Sequence, residues 1–406
     1  MDSLITAAAR ALAAGDPLGA LNRVALRDDA PALALRGIAM AQLGDFARAR
    51  TLVRSAARAF GPKEAMARAR CVVAEAEIAL VSRDLAWPAK TLDAARAVLV
   101  AHGDRVNAAH AQYLEARHLL LTGSLDAAER ALDGLEASSF PPALQATHAL
   151  VLAGIAVRRV RSADARAALG RAAQVARQAG IPALVAEVEH ALAALDAPAA
   201  RLIARDDNRM LRLDEVEALH ASPALIVDAC RMAVRVRGVT VPLARRPVLF
   251  SLARALAEAW PGDVPREALI ARTFRMKHAD DTHRARLRVE IGRLRGALGD
   301  IAAITATTQG FVLAPHDSQE VLVLAHPVEE PHAAVLACLA DGESWSSSAL
   351  AMALGASQRT VQRALDMLAE AGKVQPVGAG RARRWVTPPM PGFATALLLP
   401  AALPGA

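Results

Sequence analysis

The chain has 406 residues, 54% of them apolar and only 3% aromatic. That length supports two to four domains with cores of their own. The shortage of aromatic side chains favours helices packed through small residues, all-α or α with small sheets, over a large sandwich or barrel. A formal charge of +7 and a pI near 10.1 permit a polyanionic partner without establishing one.

The first 200 residues read as successive amphipathic helices broken at Gly15-Asp16, Gly44-Asp45, Gly103-Asp104 and Gly123-Ser124. In "GIAMAQLGDFARARTLVRSAARAFGP" the positions of Gly37, Gly44, Phe46, Ala49, Val53, Ala56 and Gly61-Pro62 resemble those of the tetratricopeptide repeat. "LLLTGSLDAAERALDGLEASSFPP" repeats the scheme with Gly123, Leu125, Ala128, Leu132 and Pro141. Turns expected near Gly44, Asp84, Gly123 and Arg161 are 40, 39 and 38 residues apart, above the roughly 34 of the strict repeat, so the segment is tetratricopeptide-like. Alanines at Ala49, Ala56 and Ala128 let paired helices approach closely. The resemblance implies a helical solenoid over 1–200 that acts as a sensor or binds a protein or peptide partner; a rigid dimerisation or spacer module is the alternative use.

After "LDAPAARLIARDDNR" the pattern changes, and residues 224–243 predict two strands joined at Gly238. Helices follow at about 246–260, 265–273 and 282–298, then a hairpin at 304–315. Three helices closed by a hairpin predict a winged helix over 222–316. On the third helix Leu287, Ile291, Leu294 and Leu298 form a core stripe, and Ala285, Val289, Gly292 and Gly296 lie opposite. Arg284, Arg288 and Arg295 run along one edge of that small-residue face, Arg286 and Arg293 along the other. A smooth strip between rows of arginine suits a DNA major groove, where guanidiniums reach phosphates and guanine edges. Thr282 and His283 at the helix start are expected to contact DNA, His283 a phosphate or base, and Glu290, toward the core edge, to position an arginine or accept from a cytosine amino group.

"PREALIARTF", "RLRGAL" and "GFVL" in this order resemble the OmpR/PhoB-type output domain of bacterial response regulators. The resemblance implies that Arg284, Arg286, Arg288 and Arg293 face DNA and that the wing lies on the minor groove. In that family an arginine-glycine pair precedes the wing aromatic; here Thr307, Thr308 and Gln309 precede Gly310 and Phe311. Helical repeats stand where a phosphoacceptor receiver domain would be, so a signal is expected through protein or ligand binding.

Residues 328–388 predict a second winged helix: a helix from Ser346 or Ser347, a turn at Gly355, a helix capped by Ser357, then strand, glycine turn and strand. Val361, Leu365 and Leu368 mark its buried stripe. Arg359, Gln362 and Arg363 then point outward, with Gln358 and Thr360 at the margins. Lys373, Arg381, Arg383 and Arg384 crowd the wing, and the balance from Ser357 to Trp385 is +4. The pattern "SxxTVxRALxxLxxxGxV" is similar to MarR-like regulators, which implies DNA reading, with protein contact as the alternative use. Residues 389–406 form an apolar, proline-rich tail.

Cys71, Cys230 and Cys338 are scattered without CxxC spacing, so reduced thiols are expected and no disulfide framework or zinc cluster. No apolar run approaches the roughly 18 residues of a membrane span, and Asp2 follows Met1 without a basic leader, which predicts a cytoplasmic, non-exported chain. There is no Walker loop and no HExxH. "GAGRAR" at 378–383 reads as a wing turn and "SWSSS" at 344–348 as a helix cap, so no catalytic residue, metal or cofactor is expected. Trp87, Trp260, Trp345 and Trp385 are expected as core anchors. The sequence thus predicts a non-enzymatic, double-stranded-DNA-binding transcriptional regulator, reading a bipartite site as a monomer or a longer palindromic array as a homodimer. The alternative is a scaffold whose winged helices contact proteins in a transcription or defence complex.

Overall fold

Glycine followed by aspartate ends one helix and begins the next at Gly15-Asp16, Gly44-Asp45 and Gly103-Asp104, and this chemistry organises the N-terminal part. The computed structural model describes residues 2–82, 84–85, 89–205, 207–274, 281–316, 320–327, 332–339, 344–354, 356–377, 380 and 383–386. Within them the chain is mainly helical with small sheets, and no helix there is long and apolar enough to cross a membrane. It divides into two units. One holds Met1–Arg159, Ala163–Ala194 and the described residues from Ala334 onward; the other holds Val160–Ser162 and Leu195–Ala333.

The first unit opens with α1 (Ser3–Ala13), α2 (Pro17–Val24), α3 (Ala30–Gln42), α4 (Phe46–Ala59), α5 (Ala65–Val81), α6 (Ala89–Ala101), α7 (Arg105–Leu121), α8 (Leu125–Ala131), α9 (Pro142–Arg159), α10 (Ser162–Ala179) and α11 (Pro182–Asp196). At Gly44, φ of 86° lets the α3 end turn back on itself. Asp45 then accepts the Arg48 N–H at 3.1 Å and caps α4. The expected turns near Gly44, Asp84, Gly123 and Arg161 fall between α3 and α4, α5 and α6, α7 and α8, and α9 and α10. A Cβ on Gly37 would lie 2.6 Å from Val53 Cγ2 and 3.1 Å from the Ala49 carbonyl, so α3 and α4 touch backbone to backbone. Ala49, Ala56 and Ala128 are fully buried, as close helix approach requires.

Polar ties lock the helices in register. Arg70 reaches Asp104 at 2.6 Å while Asp104 also caps α7 through the Asn107 N–H. Within the same layer His110 Nε2 lies 3.0 Å from Glu77, and both side chains are buried.

The second unit runs β1 (Ala200–Ile203), β2 (Asn208–Leu211), α12 (Leu213–Ala221), β3 (Leu225–Asp228), β4 (Ala233–Val236), β5 (Val239–Pro242), α13 (Pro247–Ala259), β6 (Val264–Pro265), α14 (Arg266–Phe274), α15 (Asp281–Leu298), β7 (Ala302–Ala306), β8 (Gly310–Pro315) and β9 (Val321–Ala325). One sheet has the order β2-β1-β9-β3-β4-β5, antiparallel except for the parallel pair β3 and β9. β1 meets β9 with Arg201 opposite Ala325. A smaller sheet has the order β6-β8-β7. A single core joins the large sheet to α13, α14, α15 and the small sheet through Val227, Val323, Leu252, Leu256, Leu269, Leu294 and Phe311. The unit runs wider than 222–316 because β1, β2 and β9 complete its main sheet.

Asp228, at the end of β3, is fully buried. Its carboxylate accepts the Arg231 backbone N–H at 3.0 Å, and the Arg231 guanidinium and His220 Nε2 lie 3.4 and 3.5 Å away. Burial pushes its pKa up, but the adjacent His220 ring and the Arg231 charge outweigh this and hold it below the ordinary 3.8. A depressed folded-state pKa contributes stability that is present above the unfolded value and lost as pH falls through the folded one. Resistance to urea is therefore expected to drop as the pH is lowered below 3.8, and Asp228→Asn to flatten that part of the profile. An unchanged profile in the variant would sink this assignment.

The chain returns to the first unit with α16 (Ala333–Leu339), α17 (Ser347–Leu354), α18 (Gln358–Glu370), β10 (Gln375–Val377) and β11 (Arg384–Val386). Trp345 and Trp385 exchange backbone hydrogen bonds at 2.9 and 2.8 Å and are both buried. Their core is continuous with Val73, Leu80, Leu85 and Leu92 of α5, α6 and the loop between them. Trp260 is half-buried. Trp87, Gly355, Arg381 and the tail 389–406 lie outside the described residues.

Candidate nucleic-acid interface

The orientation of α15 is set by burial. Leu287, Ile291, Leu294 and Leu298 are at most 1% exposed, and four such side chains contribute about 1.5–3 kcal/mol each. This turns Ala285, Val289, Gly292 and Gly296 to the surface, with Val289 53% exposed. Glycine inside a helix costs about 0.5–1 kcal/mol relative to alanine. At Gly37 a close helix neighbour accounts for that cost. At Gly292 and Gly296 a Cβ would meet nothing within 4 Å among the described residues. Among the described residues the smooth strip is thus open, and its small size serves no contact there.

The flanking arginines are exposed but differ in what holds them. Arg284 lies 3.2 Å from Asp281 and 3.5 Å from Glu267, both themselves exposed, and such pairs exchange at a cost of about 0–1 kcal/mol. Arg286 stacks over the Phe274 ring at 4.4 Å. Arg293 pairs with Glu290 at 2.8 Å. Arg295 is committed inward: its Nε donates to the Ile304 carbonyl at 2.7 Å, so this residue braces the hairpin. Arg288 has no hydrogen-bond or ion-pair partner among the described residues. Thr282 is exposed, whereas His283 is half-buried with its ring 6.5 Å from Phe274, on the core side of the strip.

The turn between β7 and β8 is rigid for reasons the sequence did not reveal. Arg266 donates to the carbonyls of Thr307 and Thr308 at 3.0 and 3.1 Å and lies over the Phe311 ring at 5.3 Å. The Thr307 hydroxyl donates to Asp263 and accepts the Gly310 N–H at 2.8 Å. Thr307 is therefore used internally, while Thr308 and Gln309 are exposed at the tip. Arg266 was missed as a functional residue, although its place directly after the strand-forming Val264-Pro265 fits it for holding the turn.

In the other unit Ser357 caps α18 by accepting the Thr360 N–H at 3.1 Å. Ser357, Gln358, Arg359, Thr360 and Arg363 are exposed. Gln362 is half-buried and donates to Asp366 at 2.9 Å, and Lys373 is half-buried. Arg383 stacks on Trp385 at 5.2 Å. Arg384 departs from the expected outward wing. It is half-buried, with the charges of Asp84 and Arg50 acting on it, and burial lowers its pKa. The physical reason is that β11 completes the core shared with α5 and α6.

Burial pushes the Cys71 and Cys230 thiols up to about 12, so neither is a nucleophile near neutral pH. Among the described residues no group of three or more His, Cys, Asp or Glu side chains is placed to hold a metal ion. Comparison with family models, with curated proteins and with solved structures finds no match for this chain.

Proposed function

We propose that the chain is a cytoplasmic, sequence-specific double-stranded-DNA-binding transcriptional regulator. In this reading α13, α14 and α15 with β7 and β8 act as a winged helix similar to the OmpR/PhoB type, with α15 in the major groove. The helices before them act as a tetratricopeptide-like sensor or protein-interaction domain. The observation that carries the reading is the open strip of Ala285, Val289, Gly292 and Gly296, bordered by exposed Arg284, Arg286, Arg288 and Arg293. A groove about 12 Å wide takes a helix whose leading face is small and whose edges are cationic.

For α17, α18, β10 and β11 the MarR-like reading keeps its outward row of Ser357, Gln358, Arg359, Thr360 and Arg363. The half-buried Arg384 and the shared core favour protein contact for its strands, here with the chain's own α5 and α6.

The full chain is expected to retain random-sequence duplex DNA, to lose affinity steeply as salt rises from about 50 to 200 mM, and to enrich a common sequence in the bound fraction. No retention at the lower salt, or an affinity flat across that range, would overturn the proposal.

A further inference from the structure

A cleft of about 550 Å³ opens between the start of α13 and the Glu290/Arg293 edge of α15. Pro247, Leu249 and Gly296 line it together with Arg246 and Arg293. Arg246 is exposed and has no hydrogen-bond or ion-pair partner for its guanidinium among the described residues. The carboxylate in the cleft, Glu290, is half-buried and neutralised by Arg293 at 2.8 Å. The opposite edge of α15 is different: there Arg295 is bound to the Ile304 carbonyl, and the hairpin stands against the helix.

A helix of about 10–12 Å diameter fills a major groove about 12 Å wide, so a sugar-phosphate ridge must run along each of its edges. On the hairpin edge the protein presents a braced β-turn. On the other it presents a cleft bordered by Arg246, whose guanidinium has no partner among the described residues. We infer that this cleft seats one strand of the duplex backbone and that Arg246 contacts a phosphate of that strand. Arg246 is then a positioning residue that sets how α15 lies in the groove and reads no base itself. The inference rests on the DNA-binding reading given above.

The test uses the full chain and a random-sequence duplex of about 30 base pairs, titrated with salt. One lost phosphate contact lowers affinity about five- to tenfold at roughly 0.1 M salt and makes the slope of log affinity against log salt shallower by about one. Arg246→Ala is expected to show both changes. Arg245→Ala removes the same charge from an exposed neighbour that does not line the cleft, and it is expected to show a small fraction of the loss. Arg246→Lys keeps a point charge for the phosphate and should restore most of the affinity.

Equal losses for Arg245→Ala and Arg246→Ala would mean that net charge alone matters and would overturn the inference. So would a lysine variant as weak as the alanine one. If Arg246→Ala binds duplex DNA like the parent while Arg288→Ala does not, the cleft does not seat the duplex backbone; the inference then fails and the DNA-binding reading stands. A parent chain that does not bind duplex DNA ends both.

Discussion

Removal of three guanidiniums from α15, in the combined Arg284→Ala, Arg286→Ala and Arg288→Ala variant, is expected to weaken duplex DNA binding by about 500-fold at roughly 0.1 M salt. The figure follows from about 0.9 of a counterion released per phosphate neutralised, taken three times. The single variants should not be equal. Arg288 has no partner to give up among the described residues, so its whole charge is available and Arg288→Ala should be the most damaging of the three. Arg284 must leave exposed Asp281 and Glu267, which costs little. Arg286 must leave, or slide along, the Phe274 ring, a contact worth about 0.5–1 kcal/mol at an exposed site. Filter binding across a salt series, beside a thermal unfolding curve for each variant, separates lost contact from lost fold. A folded triple variant that binds DNA like the parent would remove α15 from the interface.

Gly310→Ala is expected to be the most destabilising small substitution in the second unit. A Cβ there would lie 1.7 Å from the Val264 carbonyl oxygen, 2.5 Å from its carbon and 2.9 Å from Pro265 Cα. All three are backbone atoms, so no rotamer change relieves the clash; β6 and β8 must separate at Val264–Phe311 and Pro265–Gly310. Separation also releases Arg266 from the turn carbonyls and exposes Phe311. A loss above about 4 kcal/mol is expected, the range reserved for such mechanisms, or a fall of roughly 10 °C in the unfolding midpoint. Gly296→Ala is the matched control. With open space around its Cβ it should stabilise the helix by about 0.5–1 kcal/mol. Similar midpoints for the two variants would contradict the close approach of β6 to β8.

The three helices and hairpin of the second unit were legible because their periodicities are strong. The leucine stripe of α15 and the glycine between β4 and β5 each admit one reading. β1 and β2 were hidden because Arg201, Arg209 and Asn208 make them look like linker, and β2 is exposed over three of its four residues. β9, "VLVLA", is buried throughout; a short apolar run of this kind does not distinguish strand from helix. The helical wheel assigned each arginine an edge but not a partner. That Arg295 is spent on Ile304 and Arg266 on the turn follows from tertiary contacts across 9 and 41 residues. The half-buried setting of Arg384 was hidden for the same reason, since Asp84 and Arg50, whose charges act on it, lie some three hundred positions earlier in the chain.

The pairing of β1 with β9 sets Arg201 beside Ala325. The polypeptide therefore departs from the sheet next to where it arrived. A stretch of 125 residues closes on itself like a handle looped through a single eyelet. It has the form of a cassette spliced between α11 and α16, and a bridge a few residues long could take its place without stretching the chain on either side.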